Sequence, residues 1–76
     1  MDNSKPLNRI KVMLAERMVS NKELAEMLGK DPATVSKWCT NSSQPDLATL
    51  KRVAIVLGVD IRELLVPTPQ KALEHE

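Results

Sequence analysis

The sequence predicts an all-α domain, a compact bundle of five short helices. Three observations predict it. Between Ser20 and Thr40 (SNKELAEMLGKDPATVSKWCT) the chain carries a helix start, a helix stop and a second helix start in close succession. Aliphatic residues recur at helical spacing along most of the chain, and no stretch alternates as a half-buried strand does. Phe and Tyr are absent, Trp occurs once and Gly twice, so the core must be aliphatic.

Met1 to Leu7 reads as a flexible arm, because Pro6 disfavours helix at Lys5. Asn8 is placed to cap a first helix running to about Met18. Its inward stripe is Ile10, Met13 and Leu14 with the stem of Arg17, while Arg9, Lys11 and Glu16 stay solvated and Val19 tucks beneath the next helix start. Ser20 and Glu23 have capping-box spacing, in which each side chain satisfies the other residue's orphan N–H. Helix two then spans about Asn21 to Leu28, with Leu24, Ala25 and Leu28 on one face, and Gly29 closes it in the left-handed conformation.

Asp31 caps helix three, and Pro32 takes its first position, where a missing N–H costs nothing. This helix runs to Cys39 or Thr40 with Val35, Trp38 and Cys39 on its apolar face. Ala25 lies where helices two and three should cross most closely, which requires a small side chain. Two short helices joined by a three-residue, Gly-led turn form a helix-turn-helix.

Asn41-Ser42-Ser43-Gln44-Pro45 is rich in turn formers and reads as an exposed loop. Asp46 caps helix four, which presents Leu47, Leu50, Val53, Ala54 and Leu57 inward and ends at Gly58. Asp60 and Glu63 cap a short fifth helix carrying Ile61, Leu64 and Leu65. Two prolines in Val66-Pro67-Thr68-Pro69 stop it. The expected organisation is thus a domain over residues 1–66 (1–7 the arm) and a flexible polar tail over 67–76.

Composition narrows the function. A single Cys excludes an intramolecular disulfide, and no Cys/His cluster offers a zinc site. No signal peptide opens the chain, and nothing approaches the roughly 20 apolar residues of a membrane span; a soluble cytoplasmic protein is expected. Net charge is only +1. Before Val66, ten Lys/Arg stand against eight Asp/Glu, so any basic surface is local and affinity for phosphates should be modest. An enzyme is not expected: the lone His lies in the tail, the lone Cys on an apolar helical face, and no phosphate loop or carboxylate cluster appears. No cofactor and no small-molecule substrate are implied.

From about Asn8 to Leu65 the chain resembles the phage-repressor/Cro-like (XRE-type) helix-turn-helix family of DNA-binding domains. The resemblance rests on the Ser20–Thr40 unit and on the trailing Leu47-Ala48-Thr49-Leu50, Ala54, Leu57-Gly58-Val59-Asp60 and Glu63-Leu64-Leu65. It implies a lambda-repressor-like fold and a sequence-specific regulator of double-stranded DNA: a small repressor, a controller or an antitoxin-type protein. The alternative is a protein-interaction module that kept the fold without DNA binding. Helix three would lie in the major groove. Its outward positions are Pro32, which chiefly starts the helix, Ala33, Ser36 and Lys37; with Thr34, the last three are the expected base contacts. Ala33 offers a methyl suited to thymine, and Lys37 can reach guanine or a phosphate. The same residues also serve as helix filling and a solvated face. Phosphate contacts are expected from Asn21 and Lys22 at the start of helix two, and from the loop residues Thr40, Asn41, Ser42, Ser43 and Gln44, which equally suit a plain solvated loop. The resemblance further implies a homodimer through helix five.

The chain also departs from the family. Lys30 stands where an aliphatic residue is usual, so the turn should be wetter. Trp38 replaces a smaller aliphatic anchor, and Thr40-Asn41 replace the family's frequent Asn-Gly at the end of helix three, where Asn41 can still adopt the left-handed conformation. An Arg–Glu pair that many members bury between helices one and three is replaced here by Leu14 and Cys39. Both are therefore expected to be buried and packed together, because removing one charge alone would strand the other.

Overall fold

A computed structural model describes residues 6–69; the expected arm up to residue 5 and the tail at residues 70–76 lie outside the described residues. Four α-helices, α1 (Ile10–Arg17), α2 (Asn21–Leu28), α3 (Pro32–Cys39) and α4 (Leu47–Leu57), precede a 3₁₀ turn at Ile61–Leu64. The class is all-α as expected, but the fifth helix is a single 3₁₀ turn. Glu63 N–H donates to Asp60 O (2.8 Å) and Leu65 N–H to Arg62 O (3.2 Å), the tighter pattern that suits so short a piece.

The punctuation works locally as the residues demand. Glu23 N–H donates to Ser20 Oγ (3.0 Å) and Ser20 N–H to Glu23 Oε1 (2.9 Å), completing the capping box. Asp31 accepts from Ala33 N–H at 2.8 Å, Asp46 from Thr49 N–H at 2.7 Å, and Asp60 forms a second capping box with Glu63. Gly29 and Gly58 end α2 and α4 at φ 69°. A Cβ there would meet no neighbour, so the preference for glycine is one of backbone strain. Arg52 Nη2 donates to Leu28 O (3.1 Å), setting a cation at the negative end of α2 and tying α4 to the turn.

The core draws on every element. Ile10 of α1, Leu24 of α2, Val35 of α3, Val53 of α4 and Leu64 of the 3₁₀ turn are all fully buried. Each such burial contributes about 1.5–3 kcal/mol. Met13, Leu14, Ala25, Leu28, Trp38, Leu50, Ala54 and Leu57 complete the cluster, with Val19 and Ile61 packed at its edge.

Several expectations need correction. Leu47 is 73% exposed: as the first residue after the Asp46 cap it projects past the end of the core. Leu65 is also exposed, because the chain turns extended there. Arg17 lies outside the core, and its guanidinium donates to Gly58 O (3.4 Å). The N-cap position of α1 falls on Arg9, whereas Asn8 is extended and forms an isolated antiparallel bridge with Leu65. Asn8 Oδ1 still accepts from Ile10 N–H (2.9 Å), so the residue keeps part of the role expected of it. Leu7, expected in the arm, is fixed by backbone bonds: its C=O accepts from Val66 N–H at 3.0 Å. Leu14 is buried, but Cys39 is only half-buried at the rim of the core, its thiol donating to Asn21 of α2.

Leu14→Arg should lower stability by ~3–5 kcal/mol, because it places an unpaired charge in the core. Adding Cys39→Glu should recover part of that loss, since the rim leaves a carboxylate room to meet the guanidinium. Urea unfolding of both variants checks this. A double variant no more stable than the single one would show that the two positions do not communicate.

Candidate nucleic-acid interface

The exposed side of α3 exists because the other side is committed. Val35 and Trp38 are buried, while Pro32, Ala33, Ser36 and Lys37 are exposed and Thr34 is half-buried at the edge. Asp31 fixes the first turn, so these residues project from a helix with a defined start. At the other end the Lys37 carbonyl accepts from Ser42 N–H (2.9 Å), Ser43 N–H (3.3 Å) and Thr40 Oγ1 (3.2 Å). The loop after α3 therefore folds back over the helix terminus. Ser42 Oγ lies 2.8 Å from Thr40 Oγ1.

Asn41 takes the left-handed conformation (φ 60°). Its side chain turns inward: Oδ1 accepts from Leu7 N–H (2.9 Å), Asn8 N–H (3.0 Å) and Gln44 Nε2 (3.1 Å). Gln44 Oε1 in turn accepts from Asn8 Nδ2 (2.7 Å). Of the five loop residues singled out from the sequence, Asn41 and Gln44 are thus bound within the protein. Thr40, Ser42 and Ser43 remain at the surface.

Beside the last residue of α3, Asn21 begins α2 with Lys22 next to it, both exposed. Asn21 Oδ1 accepts from the Cys39 thiol (3.4 Å), which leaves the amide nitrogen directed elsewhere. Burial pushes the Cys39 thiol above its ordinary range, and the positive charge of Lys11 partly offsets that rise. The exposed Lys11 of α1 is therefore close enough to Cys39 for its charge to be felt there. Sequence reasoning gave it only a solvated position; its placement in the first turn of α1 within reach of Cys39 is a tertiary fact. The turn itself is wet, as expected: Lys30 is exposed. It is also near enough to Asp46 for its charge to add to the hydrogen bonds from Thr49 that lower that carboxyl's pKa.

Thus α3 presents a face with one cation and small polar groups, flanked by two patches rich in donors. Such a surface can enter a groove and offer donors to nearby anions. Among the described residues no group of His, Cys, Asp or Glu could hold a metal, and no helix is long and apolar enough to cross a membrane.

Comparison with known proteins identifies the family and the fold. Residues 10–64 match the model of the helix-turn-helix family. Among curated proteins none matches the chain. Among solved structures the chain is similar to a protein from Bacteroides fragilis, provisionally described as DNA-binding. The two share 53% identity over 79% of this chain and 97% of that one, with a TM-score of 0.78.

Half-burial and a raised pKa should make Cys39 slow to react with thiol reagents near pH 8, because only the thiolate is nucleophilic. Its rate should climb with pH to a midpoint above that of the unfolded chain. Urea should abolish the difference. A native rate equal to that of a free thiol would show that the site is open.

Proposed function

The chain belongs to the helix-turn-helix family, and from that premise we propose that it is a sequence-specific double-stranded DNA-binding regulator, a small repressor, controller or antitoxin-type protein. In this reading α3 lies in the major groove. The carrying observation is the placement of Ala33, Ser36 and Lys37 on an exposed face whose reverse is locked into the core by Val35 and Trp38. The description of the Bacteroides fragilis neighbour supports the same reading.

Ala33, Thr34, Ser36 and Lys37 meet base edges, with Lys37 the one charged reader. Asn21 and Lys22, joined by Lys11, hold a phosphate at the start of α2, where unpaired N–H groups favour an anion. Thr40, Ser42 and Ser43 hold another beyond the end of α3. Asn41 and Gln44 serve that contact by bracing the loop from within. Useful affinity from so small a surface calls for two copies on half-sites about 34 Å apart. The pairing surface in this reading is the apolar patch of Leu7, Leu65 and Val66 beside the 3₁₀ turn, which stays exposed in the single chain.

A protein-interaction module without DNA binding is favoured by two facts, the net charge of only +1 and the donor-free Pro32-Ala33 start of α3. Salt separates the readings, because phosphate neutralisation makes DNA affinity fall steeply with ionic strength.

Selection from a random duplex pool should return a pseudo-palindromic motif. On that motif Lys37→Ala should cost ~1–3 kcal/mol and relax one position, whereas Asn21→Ala should weaken all duplexes alike. Wild-type binding by a Lys37/Asn21 double variant would rule out this docking. Sedimentation showing a monomer both free and on the selected site would remove the dimer.

A further inference from the structure

Asn8 is the one buried polar residue among the described residues, 5% exposed. Its surroundings follow from the extended backbone at Leu7–Arg9. Leu7 C=O accepts from Val66 N–H (3.0 Å) and Arg9 N–H donates to Leu64 O (2.8 Å), so the neighbours of Asn8 face the carboxy-terminal segment. In an extended chain alternate residues bond to opposite sides. The N–H and C=O of Asn8 accordingly face the other way and meet the side-chain amide of Asn41. Asn8 N–H donates to Asn41 Oδ1 (3.0 Å) and Asn41 Nδ2 to Asn8 O (3.3 Å).

The Asn8 side chain completes the connection. Nδ2 donates to Trp38 O (3.0 Å) at the end of α3 and to Gln44 Oε1 (2.7 Å) at the far end of the loop. Oδ1 accepts from Ile10 N–H, so both donors and the acceptor are in use. One residue thereby joins the start of α1, the end of α3 and both ends of the 41–44 loop. Without its side chain the loop keeps its local bonds and the backbone bonds of Leu7 and Asn8 to the Asn41 amide, but loses the tie that runs from Gln44 at its far end through Asn8 Nδ2 to the end of α3.

We propose that Asn8 is the positioning residue of the surface loop after α3. It fixes Thr40, Ser42 and Ser43 relative to α3, so that loop and helix meet one DNA duplex together. This rests on the DNA-binding reading above. Being buried, Asn8 cannot touch DNA, so any effect of its replacement on affinity must pass through the loop. The core of the fold does not depend on it, since each helix contributes its own fully buried aliphatic residue. Binding should therefore suffer more than folding.

The test uses Asn8→Asp, which keeps the acceptor for Ile10 N–H and loses both donors, alongside Asn8→Ala. Leu57→Ala, a core cavity without hydrogen bonds, is the control for destabilisation alone. Affinity is measured per folded molecule on a selected duplex and a random one. Amide exchange at Ser42 and Ser43 is followed in the free protein. Both Asn8 variants should lose roughly tenfold in affinity on the two duplexes alike, with a salt slope shallower by about 1. Their Ser42 and Ser43 amides should exchange faster, while Leu57→Ala keeps wild-type affinity and slope per folded molecule.

Wild-type affinity in folded Asn8 variants, or unchanged exchange at Ser42 and Ser43, would overturn the proposal. The same holds if Leu57→Ala loses affinity equally. If neither Asn8 variant folds, Gln44→Ala removes the exposed partner alone, and unchanged loop exchange in that variant refutes the bracing. A wild type with no salt-sensitive DNA affinity refutes the DNA-binding reading itself and this inference with it, whereas a binding wild type with indifferent Asn8 variants refutes only the inference.

Discussion

The packing of α3 against α2 is the constraint on which the other parts depend. Leu24, Ala25 and Leu28 meet Val35 and Trp38 across a turn whose direction is set by Gly29 in the left-handed conformation. Ala25 has no exposed surface at all. In a close-packed interior an added methylene there must displace a helix or force a strained rotamer. A shift of α3 would in turn move every outward residue it carries. The exposed face of Ala33, Ser36 and Lys37 is therefore defined from behind, by side chains that never reach solvent.

The remainder of the molecule braces that pair with few means. A chain this short buries a small core, so each aliphatic contact is a large part of a stability that is marginal in any small domain. The helix ends are correspondingly well satisfied. Ser20, Asp31, Asp46 and Asp60 each accept a backbone N–H that would otherwise be orphaned. Arg52 carries a bond from α4 to the end of α2, and Asn8 carries several from the amino-terminal segment to the end of α3. Charge pairing adds little: the ion pair seen among the described residues, Arg62–Asp60, is exposed at 3.1 Å within the cap it reinforces.

The candidate site was partly legible in the sequence. Alternation of buried and exposed positions along α3 is a consequence of helical periodicity, so Val35 and Trp38 named the outward residues by elimination. The loop was harder to read. Thr40, Asn41, Ser42, Ser43 and Gln44 look alike as hydrogen-bonding residues, yet of the five only the side chains of Asn41 and the exposed Gln44 are bound to the amino-terminal segment. Their partners, Leu7 and Asn8, lie more than thirty residues away in the chain. The influence of Lys11 on Cys39, and the bond from Cys39 to Asn21, were hidden for the same reason.

The sequence by itself determined what local physics can determine. Caps, left-handed stops and the Pro32 start depend on residues within one helical turn of each other, and α2 and α3 begin and end where those signals stand. The aliphatic stripe likewise depends on spacing alone, which is why nearly every inward residue of α1 to α4 is buried. Exceptions fall at the ends of elements, at Leu47 and Leu65, where position relative to the core matters more than period. The tertiary structure alone decided the rest. It made the fifth helix a 3₁₀ turn, paired Asn8 with Leu65, and left Cys39 at a rim instead of in the core. Each of these depends on what the fold brings next to a residue, and no period or cap in the chain encodes that neighbour.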